Sequence, residues 1–179
     1  ITSHGSLNAD VQTLDNRAGK LLSAGDATLN AQTLENSAGR IVAQQSLDLS
    51  GTQLNNQGGE ILAQQNITVT AANLDNQNGT LAGSALGLQL SAALNNQDGL
   101  IESASDLQLT TNTLSNSGGK LRALGGESAS RFALGGLFNN DAGLVEIGSG
   151  VFTLSSVGLS NLGGTVRHTG TQGFNLDLT

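Results

Sequence analysis

Apolar and polar residues alternate along this chain over short runs, as in Leu47-Asp48-Leu49 and Leu107-Gln108-Leu109. A two-residue period is the pattern of strands with one face turned inward. No window carries an apolar stripe at helical spacing long enough for a helix. The alternation also recurs as a larger unit. Leu14-Asp15-Asn16-Arg17-Ala18-Gly19-Lys20-Leu21 returns as Leu34-Glu35-Asn36-Ser37-Ala38-Gly39-Arg40-Ile41, and again from Leu54 to Ile61. Written as L-x-N-x-x-G-x-[LI], it places Asn at Asn16, Asn36, Asn56, Asn76, Asn96 and Asn116. The matching glycines are Gly19, Gly39, Gly59, Gly79, Gly99 and Gly119. A twenty-residue period held for six copies is the mark of a repeat architecture.

Twenty residues cannot bury an apolar face alone, but stacked copies can. Each repeat reads as two or three short strands joined by tight turns. Each strand then pairs in parallel with its counterpart one coil away, at about 4.8 Å. The expected fold is all-β, a right-handed parallel β-helix of about 20-residue coils, since parallel crossovers are almost always right-handed. Leu21, Ile41, Ile61, Leu81, Ile101 and Leu121 form one inward column. Leu14, Leu34, Leu54, Leu74, Leu94 and Leu114 form a second. Ser23, Ala43, Ala63, Gly83, Ser103 and Ala123 are all small, as a tight corner or thin core requires. Asn and Gly are read as turn formers that tolerate positive φ. Stacked Asn amides would hydrogen-bond along the axis, and Gln57, Gln77 and Gln97 would form a second, exposed ladder.

The pattern breaks in two places. Where Ile67 and Val69 predict apolar residues at 87 and 89, the chain has Gly87 and Gln89, and Leu86, Leu88 and Leu90 are apolar instead. A one-residue slip flips every side chain to the other face, so a bulge or re-registration is expected there, corrected before Leu94. After Gly119 the next matches are Phe138 to Gly143 and Leu159 to Gly164, and all four Phe fall in this part. The division is therefore regular repeats over 1–121 and degenerate repeats over 122–179, continuing one β-helix. The extra residues are placed in Leu124 to Arg131, as a loop leaving the stack, with the core widened for aromatic rings.

Composition narrows the function. A net charge of −7 with only seven scattered Lys and Arg argues against nucleic acid. No apolar run is long enough to span a bilayer. The chain has no Cys, which suits export in an extended state. It opens at Ile1, mid-coil and with no signal peptide, and so reads as an excised piece of a longer protein. Another coil is expected to cover that end in the parent. The absence of Pro fits paired strands.

The L-x-N-x-x-G-x-[LI] unit with its following strand pair resembles the haemagglutinin repeat of filamentous haemagglutinin-type exoproteins. Those are the secreted partners of two-partner secretion systems, including adhesins and contact-dependent growth inhibition effectors. The resemblance covers Leu7 to Leu121 and extends weakly beyond. It implies a secreted rod on the outer surface of a Gram-negative cell, exported through an outer-membrane partner. Its other partners would be neighbouring coils of the parent exoprotein and a host or bacterial surface receptor or glycan.

Candidate chemistry is sparse. One turn position holds Asp15, Glu35 and Asp75, with Asn55 and Asn95 in the same column. Stacked carboxylates can bind a cation, but a solvated turn is the preferred reading. His4 and His168 are far apart and are read as surface residues. No catalytic residue, metal ligand or cofactor is assigned, and the chain is read as a non-enzyme. Leu22, Val42, Leu62 and Ala82 form either an outward apolar stripe, a contact surface ending at Glu102 and Arg122, or a corner that turns them inward. The leading function is a rigid filament segment. The alternative is a carbohydrate- or receptor-binding adhesin module in 122–179, with Arg122, Arg131 and Phe132 as ligand contacts.

Overall fold

The computed structural model describes residues 1–179. It is a solenoid of nineteen strands with no helix, and every strand pairing is parallel. Each regular coil has one four-residue strand and one longer strand, for example Lys20–Ser23 followed by Ala27–Glu35. The long strand bends midway. In the fifth coil the bend divides it outright, into Leu107–Thr111 and Thr113–Ser115. Register runs at the twenty-residue offset, with Leu21 on Ile41, Ile41 on Ile61 and Leu34 on Leu54.

Alternation decides what is buried. In Arg40–Ala43, Ile41 and Ala43 are buried while Arg40 is exposed and Val42 half-buried. The same parity repeats coil after coil, and 33 apolar side chains join into one continuous core. Both predicted aliphatic columns lie in it, except that Leu14 is half-buried and packs against its end. The small residues also face inward, where Ser23 Oγ donates to the carbonyls of Gly5 and Asp26 at the corner, at 2.8 and 2.9 Å.

The fourth coil re-registers as its pattern demands. Leu86, Leu88 and Leu90 sit on Ile67, Val69 and Ala71, an offset one residue short. The missing residue is recovered between Leu90 and Ala93, after which Leu94 stands on Leu74. One residue lost at a corner and regained at the bend keeps all three leucines buried.

The expected loop at 124–131 does not leave the stack. Lys120–Leu134 is a single fifteen-residue strand that carries straight through the corner. It pairs along Leu144–Ser156, with register shifts on either side of Gly126. Exposed backbone groups in this segment find ladder partners in the next coil, so the extra residues are absorbed as bulges. The aromatic rings do enter the core: Phe132, Phe138 and Phe152 are buried. Phe152 lies opposite Ser130, whose small side chain leaves room for the ring, and it meets Phe132 edge-on at 5.1 Å.

Candidate functional site

The most ordered polar feature is inside the rod. The Nδ2 of Asn36 donates to Asn56 Oδ1 at 2.7 Å, to the Gly39 carbonyl at 3.3 Å and to the Glu60 carbonyl at 3.2 Å. Its Oδ1 accepts from Asn16 Nδ2 at 2.7 Å. The same links continue through Asn76, Asn96, Asn116 and Asn140 to Asn161. The ladder thus crosses the irregular part despite the longer coils there. The five amides from Asn36 to Asn116, and Asn140 after them, are fully buried, and each is satisfied at both ends, as buried polar groups must be.

Positive φ falls elsewhere than the repeat motif suggests. It is found two residues after the ladder Asn, at Ala18, Ala38, Gly58, Asn78, Asp98, Gly118, Ala142 and Gly163. The repeated glycines have a different reason to be glycine. A Cβ on Gly59 would collide with the Asn36 carbonyl oxygen of the coil before and come within 2.6 Å of Asn56 Oδ1. Close approach of backbone to ladder, not a left-handed turn, excludes a side chain here. The Gln ladder does not form. Gln57 Nε2 instead donates to Asp75 Oδ2 at 2.7 Å.

On the turn column Asp15 and Glu35 are register neighbours while Asn55 stands between Glu35 and Asp75, and each carboxylate is occupied. Asn55 donates to Glu35 at 2.9 Å and Asn95 to Asp75 at 3.1 Å. Asp15 pairs with Arg17 at 2.6 Å, and the hydrogen bonds from Arg17 hold its carboxyl down at about 2. Asp141 accepts from Ser160 Oγ at 2.6 Å and from the Leu162 amide at 2.8 Å. The Ser160 bond first, then the amide, holds its carboxyl below the usual range. No three His, Cys, Asp or Glu side chains converge as a metal site would need.

Strict alternation places Leu22, Val42, Leu62 and Ala82 outside, stacked in one column and half-buried. The corner alternative is not what the chain adopts. The column then changes character and becomes a run of opposite charges. Arg122 bridges Glu102 at 2.5 Å and Glu146 at 3.1 Å, and Glu146 also pairs with Arg167. Spacing hid this run, because Glu146 and Arg167 lie beyond the twenty-residue offset.

The three candidate ligand contacts do not gather. Phe132 is 0 % exposed and belongs to the core. Arg122 is engaged between two glutamates. Arg131 alone is exposed and outside any ion pair. His4 is exposed at the first corner. His168 sits near the far end, its Nε2 at 2.7 Å from the Ser149 carbonyl oxygen. Surface hollows follow two lines parallel to the axis. One runs past Thr70, Leu90, Thr110 and Leu134 at the strand bend. The other runs past Gln53, Asn73, Asn95 and Leu137.

Fold and ladder together define a parallel β-solenoid whose polar order is axial. Its sequence matches the haemagglutinin repeat family over residues 2–70, 51–92, 84–126 and 128–175. The chain belongs to that family, whose repeats are typical of secreted surface exoproteins. No curated protein and no solved structure matches it.

Proposed function

We propose that this chain is a stiff spacer within the filament of a large exoprotein on a Gram-negative cell, exported through an outer-membrane two-partner transporter. Its work is mechanical. It holds a distal receptor-binding or toxin region away from the membrane, and its lasting partners are the coils above and below it. The observation that carries this reading is the ladder unbroken from Asn16 to Asn161. A length-setting element must keep its stacking where its sequence degenerates, and this one does.

Removal of two whole coils, residues 37–76, joins Asn36 to Gln77 and preserves the motif. The filament then shortens by about 10 Å, two inter-strand spacings. Attachment of the parent protein to its target should survive with a shorter reach, measured by cell adhesion and electron microscopy. Loss of attachment in a filament that is folded and merely shorter would sink the spacer reading.

A second reading has one observation in its favour. Leu137 and Leu162, at 64 % and 77 % exposed, stand on the outside of the degenerate part. As an adhesin module, that part would bind a glycan or receptor, with the exposed Arg131 as a further contact. Binding of the isolated chain to a glycan array or to cells, lost in Arg131→Ala, would favour it over the spacer.

A further inference from the structure

Asn78 differs from every ladder asparagine. It is exposed, its side chain has no hydrogen-bond partner, and it holds a positive φ of 54°. It is also the one asparagine in the chain that is followed by glycine. The structure assigns Asn78-Gly79 as a site of spontaneous covalent modification, deamidation through a cyclic imide, lying midway along the rod.

The chemistry needs only water. Hydroxide removes the Gly79 amide proton, and the nitrogen attacks Asn78 Cγ. The Cγ–Nδ2 bond breaks and ammonia leaves with a proton from water, closing a five-membered succinimide. Water then opens the ring at one of two carbonyls. Opening at Cγ gives aspartate in a normal chain. Opening at the main-chain carbonyl gives isoaspartate, with an extra methylene in the backbone. Oxidation state does not change at any step. Gly79 has no side chain to obstruct ring closure.

The fold sets both the selectivity and the outcome. The ladder asparagines from Asn16 to Asn140 have both amide hydrogens engaged, and Asn161 at the end donates to the Gly164 carbonyl. All are followed by residues other than glycine: Arg17, Ser37, Gln57, Gln77, Gln97, Ser117, Asp141 and Leu162. Gly79 N–H donates to the Asn76 carbonyl at 2.9 Å, so the turn must open briefly before attack, and the folded rod reacts more slowly than the unfolded chain. The aspartate product fits, because Asp98 holds the equivalent position one coil on at φ 53°. The isoaspartate product does not. It displaces Gly79, whose carbonyl accepts from Asn76 Nδ2 at 3.2 Å, and so loosens the ladder at the fourth coil.

The test is incubation of the folded chain at mildly alkaline pH beside a sample in denaturant. Peptide mapping for isoaspartate and an assay of released ammonia follow. Conversion at residue 78, slower in the folded sample and undetectable at the ladder asparagines, is the expected result. Ammonia release should be abolished in Asn78→Ala, a change the turn tolerates because Ala18, Ala38 and Ala142 hold the same position at φ 51–54°. An intact Asn78 in the folded rod while the denatured chain converts would overturn the assignment. So would equal conversion at the ladder asparagines.

Discussion

Asn56 Nδ2 lies 2.7 Å from Asn76 Oδ1, twenty residues away in sequence and one coil away in space. The same nitrogen reaches the Gly59 and Thr80 carbonyls at 3.2 and 3.1 Å. One buried amide therefore ties three coils, because its own Oδ1 accepts from Asn36.

Asn56→Leu should lower stability by about 2–6 kcal/mol. It leaves Asn36 without its acceptor and Asn76 without its donor, at about 1–3 kcal/mol each. Asn56→Asp should be worse at neutral pH. Its new oxygen faces Asn76 Oδ1 and two carbonyls, and its charge is buried without a partner. Urea denaturation of the three proteins at pH 7 and pH 4 checks this. The Asp variant should recover part of its loss at the lower pH, where protonation supplies a donor. An Asp variant as stable as the parent at pH 7 would show that the ladder is not closed.

The two adjacent glycines of the third turn should respond unequally. Gly59→Ala drives a methyl group into the Asn36 carbonyl and the Asn56 amide, and the backbone cannot yield without opening the ladder. A loss of about 3 kcal/mol or more is expected, of the order of severe overpacking. Gly58 has φ +60° and open space around a Cβ, so Gly58→Ala meets only the left-handed backbone cost of about 1–2 kcal/mol. Thermal denaturation of both variants gives the order. Equal losses would mean that close approach is not what excludes a side chain at Gly59.

Asp141 makes the last turns acid-sensitive. Its folded carboxyl titrates below the ordinary 3.8, through Ser160 first and then the Leu162 amide. A carboxyl with a depressed pKa adds stability that is complete above the unfolded value and lost as pH falls through the folded value. The contribution should be intact at pH 5 and decline below about 3.8. Asp141→Asn keeps an acceptor oxygen but cannot titrate. The stability difference between parent and variant should therefore narrow between pH 5 and pH 2, followed by hydrogen exchange at Leu162. A constant difference would mean that the carboxylate does not cap that turn.

Most of the fold was legible because identical residues return at one spacing. Leu34 on Leu54 and Ile41 on Ile61 need nothing more than the period, and Leu86 announced its own slip by parity. The corner at 124–129 was misread because Gly125-Gly126 has the composition of a loop. A signal was present in phase. Inward positions are odd through Leu121 and Ala123 and even from Ser130, and the next coil makes the same change between Ser149 and Phe152. Two neighbouring coils that shift phase together describe paired strands rather than an excursion. Phe132 could not be separated from a surface ring until that phase was known. The charge run through Glu146 was hidden because its spacing follows the longer coils.

The amides from Asn16 to Asn161 all face one way, nitrogen toward the later coil and oxygen toward the earlier one. Aligned amide dipoles add, as they do along a helix, and each polarises the next. The rod is therefore an electrical arrow as well as a mechanical one. Its partial positive pole lies at the Asn161 coil and its negative pole at Asn16, so its two ends present different fields to whatever coil, ligand or membrane they meet.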